Sequence, residues 1–212
     1  MSKVRFSISI SIDGYAAGPS PSVESPLGRG GEQLHEWALE LAAWRQAHGL
    51  EGGEVNESTP VMQATQDGVG AYVMGRNMFG GGPGDWGDDP WRGWWGDDPP
   101  FRAPVFVVTH HAREPLELQG TTFSFVTEGV EAAVEQARAA AGERDVLIAG
   151  GANVVAQSLD AGLVDEFTVS IAPVLLGGGT PLFADDARPG QLEQINVVRA
   201  PGVAHVSYRV AR

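Results

Sequence analysis

The chain contains no cysteine. That absence removes disulfides, thiolate nucleophiles and every cysteine-based zinc or iron–sulfur site at once. No apolar run approaches the roughly 18 residues that a membrane span needs, so no segment reads as crossing a bilayer. Basic charge is scarce: 14 Lys and Arg stand against 27 Asp and Glu, a net −13 at neutral pH. Such a surface repels phosphate backbones and anionic lipid, so neither nucleic acid nor membrane is an expected partner. The opening MSKVRFSISIS alternates instead of forming an apolar block, so it does not read as a signal peptide, and a cytoplasmic address is expected. An apolar share of 42% is enough for a packed core and excludes low-hydrophobicity disorder. A length of 212 residues fits one domain, expected to span 1–212.

What is present alternates between strand and helix periods. Residues 4–12 place Phe6, Ile8, Ile10 and Ile12 on one face and serines on the other, a period of two that predicts a strand. Asp13-Gly14 closes it in a turn. A Gly/Pro/Ser-rich loop over 18–31 follows. Leu34, Trp37, Leu41 and Trp44 then keep helical spacing, which predicts one amphipathic helix over about 32–47. Pro60 stands at the start of a second helix. The apolar runs 71–74, 104–109 and 145–149 read as strands covered on both faces, and 121–126 and 166–173 as further strands. Helices are expected over 131–141 and 152–161, and two last strands over 192–199 and 203–210. This order predicts an α/β fold with a mainly parallel sheet and antiparallel C-terminal strands.

Chemistry concentrates where strands end. Gly150-Gly151 stands between an apolar strand and a helix, where a phosphate can approach the backbone and meet the helix N-terminal N–H groups; a plain tight turn explains it as well. Gly75-Arg76 repeats the arrangement after another strand, and arginine suits bidentate phosphate binding; a solvated surface arginine explains it as well. Both sites fall at carboxyl ends of strands, where open α/β sheets gather ligands. His110-His111 follows a third strand; adjacent histidines point apart, so no metal is expected there, and the motif reads as ribose or phosphate contacts or as a plain exposed loop. The biased stretch 80–100 holds Trp86, Trp91, Trp94 and Trp95 among aspartates, a lid, a subunit interface or local packing. Asp13, His35 and Glu36 are candidate acid/base groups, provided that they face a pocket.

Five stretches then appear in one order: SISIDGYAAG ending at Gly18, VMGRNMF (73–79), VFVVTHH (105–111), VLIAGGANVVAQSLDAGLVDEF (146–167) and VSIAPVLLGGGTPLF (169–183). Together they resemble the dihydrofolate reductase-like superfamily, and within it the reductase domain of the riboflavin-biosynthesis deaminase–reductase. The resemblance implies a three-layer fold with NADPH as cofactor. It places Gly75, Arg76, Asn77, Thr109 and His110 around the adenosine phosphates, and Gly150, Gly151, Ala152, Asn153 and Val154 along the pyrophosphate. It implies a pteridine- or pyrimidine-like substrate bordered by Asp13 and the 34–44 helix, and a homodimer. A heterocycle-binding protein without turnover on the same fold is the alternative. Two positions depart from the family pattern: Met78 where folate enzymes usually carry Thr, and Tyr15 where the riboflavin branch commonly has Lys.

Overall fold

A computed structural model describes residues 2–88, 90–183 and 190–211. The chain gathers into two compact units, one of residues 1–5 with 68–164 and one of residues 6–67 with 165–212. Strand β1 (Val4–Ile10) begins in the first unit and continues into the second.

The first unit is built on parallel pairing. Strands β3 (Val69–Gly75), β4 (Val105–Val108), β5 (Leu116–Leu118), β6 (Thr121–Val126) and β7 (Asp145–Gly150) lie in the order β7-β3-β4-β6-β5. β7–β3, β3–β4 and β4–β6 are parallel, and the short β5 adds an antiparallel edge. Ala71, Val73, Met74, Val105, Val107, Val146 and Ile148 are buried, as continuous apolar runs require of strands covered on both faces. Helix α5 (Val130–Ala141) buries Ala133, Val134 and Ala137 from its small-residue face. Gly70 shows how closely it packs: an added Cβ would stand 2.9 Å from the Ala141 Cα. Helices α4 (Arg76–Phe79) and α6 (Ala152–Asp160) start directly where β3 and β7 stop.

The second unit is antiparallel at its edge. The order is β10-β11-β8-β1, with β8 (Glu166–Ile171), β10 (Leu192–Ala200) and β11 (Val203–Val210). β10–β11 and β11–β8 are antiparallel, as two strands too close for a crossover must be. A separate ribbon pairs β2 (Tyr15–Ala17) with β9 (Thr180–Pro181). Its backbones meet at Gly179, where φ is +125° and a Cβ would stand 2.0 Å from the Ala17 carbonyl oxygen, so only glycine fits.

The single helix expected over 32–47 is not what forms. A 3-10 turn (Gly31–His35) leads into α1 (Glu36–Leu39), and α2 (Ala42–Ala47) follows after a break. Leu41 is the break, with an extended ψ of 134°, and it forms a parallel bridge with Glu54. Leu34 and Leu41 are still fully buried, so the apolar stripe serves its purpose through three short pieces. The helix expected at Pro60 forms as α3 (Ser58–Gln66). Among the described residues, no helix is long and apolar enough to cross a membrane.

Candidate functional site

The first unit brings the strand ends together. β3 stops at Gly75 and β7 at Gly150, and the two strands are hydrogen-bonded neighbours with Met74 opposite Gly150. A Cβ on Gly75 would stand 2.9 Å from Val154 Cγ2, so the turn after β3 packs on the first turn of α6. Gly150 has φ +126° and lies beside Met78, 3.2 Å from its sulfur. The Gly150–Gly151 peptide is cis. A Cβ on Gly151, by contrast, would meet no atom within 4 Å. The space before the α6 N-terminus is therefore open, and no side chain caps that end. Its free N–H groups are the kind that receive a negatively charged ligand.

Arg76 is not a solvated surface arginine. Its guanidinium carbon lies 3.1 Å from the centroid of the Trp86 ring. Nε, Nη1 and Nη2 are all buried, and none has a hydrogen-bond partner. Desolvation, and then the neighbouring Arg113, pull its pKa down to about 10. Arg113 is itself lowered by burial and by Arg92. It donates to the Trp91 carbonyl and faces the rings of Trp86 and Phe125, each 4.8 Å away. Among the described residues neither Arg76 nor Arg113 forms an ion pair. Two unpaired arginines in one place, within a chain of net −13, form a localised anion-attracting patch.

The stretch 80–100 packs onto this unit. Trp86, Trp91 and Trp95 rest against a core of Phe79, Phe123, Val105 and Leu116, and Trp94 stays exposed. Trp86 Nε1 donates to the His111 carbonyl, Trp91 Nε1 to Phe79, and Trp94 Nε1 to Met78. His111 donates through Nδ1 to Asp85 at 2.7 Å, which ties the stretch to the loop after β4. Local packing, one of the three readings of this stretch, describes Trp86, Trp91 and Trp95. Thr109 is buried, and its hydroxyl accepts the His111 N–H. His110, Asn77 and Asn153 are exposed, and Ala152 and Val154 are buried.

In the second unit the three acid/base candidates differ. Asp13 is occupied: its two carboxylate oxygens accept the N–H groups of Leu176 and Gly177, at 3.1 and 2.7 Å. A side-chain hydrogen bond from Ser11, with these backbone bonds, holds its pKa below the usual carboxylate value. Raising by burial, the basis for expecting a proton donor there, does not prevail. His35 closes the 3-10 turn and is half-buried, and desolvation lowers its pKa. Glu36 is exposed. Trp37 donates through Nε1 to Ser9 and to the Leu34 carbonyl and packs edge-on against His205. His205 was absent from the sequence-level candidates. It is buried, with Nε2 2.9 Å from the Ser58 hydroxyl and Nδ1 2.8 Å from that of Ser170.

The family described as the RibD C-terminal domain matches residues 2–204. An uncharacterized Bacillus subtilis (strain 168) protein, YyaP, is 39% identical over 66 residues, 31% of this chain and 35% of that protein. The match thus spans about a third of that relative's length. A crystal structure described as a putative riboflavin biosynthesis protein from Shewanella sp. PV-4 superposes with a TM-score of 0.64 at 21% identity, covering 99% of each chain. A dihydrofolate reductase from Enterococcus faecalis, complexed with NADP(H), superposes at 0.51 with 13% identity, over 99% of this chain and 97% of that one. These likenesses show a dihydrofolate reductase-like α/β fold, and with the match over nearly its whole length the chain belongs to the RibD C-terminal domain family.

Proposed function

We propose that the chain is an NADPH-dependent oxidoreductase that reduces a pyrimidine-, pteridine- or similar heterocycle, acting as one domain of 1–212. The observation that carries this reading is Arg76, a guanidinium with three buried and unfilled nitrogens at the end of β3. Gly151 agrees with it, since the place a Cβ would take is open in front of α6. The residues present therefore fit a phosphorylated dinucleotide. Gly75, Arg76, Asn77, Thr109 and His110 would hold its adenosine phosphates, and Gly150, Gly151, Ala152, Asn153 and Val154 its pyrophosphate. When bound, that cofactor supplies a hydride to a conjugated C=N or C=O of the substrate. The protein orients the reactants and excludes water.

A proton must also reach the reduced ring. Of the three acid/base candidates we favour His35, which is half-buried where Glu36 is exposed and the Asp13 carboxylate is occupied by two backbone N–H groups. Asp13 fastens the 176–177 segment through its two backbone N–H groups, and Glu36 is solvated.

Arg76→Ala is expected to weaken NADPH by about 1.5–3 kcal/mol, the range for a charge-assisted hydrogen bond, in isothermal titration. Unchanged affinity removes Arg76 from the site. Loss of NADPH absorbance that requires an added heterocycle marks turnover. Binding of both without that loss returns the alternative, a heterocycle-binding protein.

Assembly as a homodimer belongs to the same reading. β10 lies at the edge of its sheet with Leu192, Ile195 and Val197 exposed, an apolar surface that soluble strands seldom leave uncovered. Sedimentation at micromolar concentration is expected to give twice 22.4 kDa, and a mass of 22.4 kDa overturns the dimer.

A further inference from the structure

Residues 42–67 of the second unit carry α2 and α3, yet only Ser58 and Thr59 are buried among them. Leu50 and Val55 are exposed, and Val61 and Met62 are half-buried. The Thr59 hydroxyl stays within the segment, accepting the Asn56 N–H. The Ser58 hydroxyl reaches the sheet instead, 2.9 Å from His205 Nε2 on β11. The other ring nitrogen lies 2.8 Å from the Ser170 hydroxyl on β8. Both ends of the segment are breaks in the helical path. Leu41 and Asp67 have extended backbone, each with a ψ of 134°, and Gly68 follows with φ +69°.

We infer that residues 42–67 form a strap latched to the sheet through Ser58 and His205, and that protonation of His205 releases the strap while the strands beneath it stay paired. A buried imidazolium needs either an anion or water. No anion faces this one. α3 presents Ser58, β8 presents Ser170, α1 presents the edge-packed Trp37, and Val198 of β10 stands opposite in register. The ionisable side chains flanking those partners in sequence, Glu36, Glu57 and Arg199, are exposed, and His35 is half-buried. Glu166, Glu193 and Arg209, on the same three strands, are tied to one another. Water must therefore come in. β11 is hydrogen-bonded along its length to β10 on one side and β8 on the other, so admitting water between strands breaks many bonds. Lifting α3 uncovers two hydroxyl residues and a few half-buried apolar side chains, which costs far less. Burial holds the His205 pKa down at about 4, so the latch is closed at neutral pH and fails as pH falls from 6.5 toward 4.

Hydrogen exchange read by mass spectrometry on the full chain tests this, at pH 7 and pH 5, with rates corrected for the intrinsic effect of pH. At pH 7 the α3 amides are expected to open more readily than those of β8 and β11. At pH 5 their opening constant should rise about tenfold or more, with β8 and β11 still the better protected. In His205→Gln, which cannot titrate, the same change of pH should raise it no more than about twofold. Ser58→Ala should open α3 at pH 7 already and leave β8 protected. Exchange of α3 in step with β8 and β11 at both pH values overturns the strap, and an equal acid response in wild type and His205→Gln overturns the latch. Should His205→Gln fail to fold, Ser58→Ala decides: an α3 no more open at pH 7 than in the wild type rejects the Ser58–His205 contact as the fastening.

Discussion

Gly151→Val is expected to weaken NADPH at least tenfold, about 1.4 kcal/mol, while leaving the fold nearly as stable as before. The reasoning turns on where its side chain would go. Gly151 has φ −79° and ψ −172°, an extended conformation open to any residue, and a Cβ there meets no protein atom within 4 Å. A substitution that touches nothing in the protein generally changes stability by no more than about 0.5 kcal/mol. The valine methyls would instead stand in front of the uncapped N–H groups of α6, the place the pyrophosphate needs. Neighbouring glycines cannot make this distinction. Gly75→Val would strike Val154, and Gly150 has a positive φ that any side chain strains, so either variant would damage fold and binding together. Isothermal titration beside a thermal melt gives the answer. Full NADPH affinity in a well-folded Gly151→Val protein would mean that the glycine pair only turns the chain.

Legibility in the sequence followed the range of the interactions. β1, β3, β7 and α5 were readable because period and composition act within a few residues, and their observed bounds differ from the expected ones by at most two positions. The helix read over 32–47 fails at Leu41, whose extended backbone is held by a bridge to Glu54; spacing alone keeps Leu41 in the stripe and cannot register that bridge. β2, β5 and β9 are two or three residues long, too short for any period to show. At the site, Gly75-Arg76 and Gly150-Gly151 were visible because each motif is local. That Trp86 lies on Arg76 was not, since the stretch 80–100 has no period and its packing is decided by aromatic partners elsewhere in the unit. Arg113 stood in plain view four residues beyond Thr109, yet nothing in the sequence tells an unpaired arginine from a solvated one.

His205 was hidden for the same reason, and its burial predicts how the protein responds to acid. In V-A-H-V-S-Y-R-V it occupies an ordinary strand position, but Ser58 and Ser170, 147 and 35 residues away in sequence, close over both ring nitrogens. A neutral imidazole satisfies both serines, donating through one nitrogen and accepting through the other. Protonation removes the acceptor and places a charge where only 1% of the residue is exposed, so desolvation pushes the pKa down from 6.5 to about 4. The unfolded chain, with an ordinary histidine, therefore binds more protons between those values than the folded one. Stability from this group is complete above about pH 6.5 and is lost as pH falls toward 4. For a single site with these two pKa values, the loss between pH 7 and pH 5 is about 2 kcal/mol. His35, also lowered by burial, acts in the same direction, so the wild-type slope alone does not isolate His205. The difference from His205→Gln does, since glutamine keeps one donor and one acceptor for the serines and does not titrate. Urea denaturation at both pH values should show the wild type losing about 2 kcal/mol more than His205→Gln over this range. Equal losses in the two proteins would place the acid sensitivity elsewhere and leave His205 as packing alone.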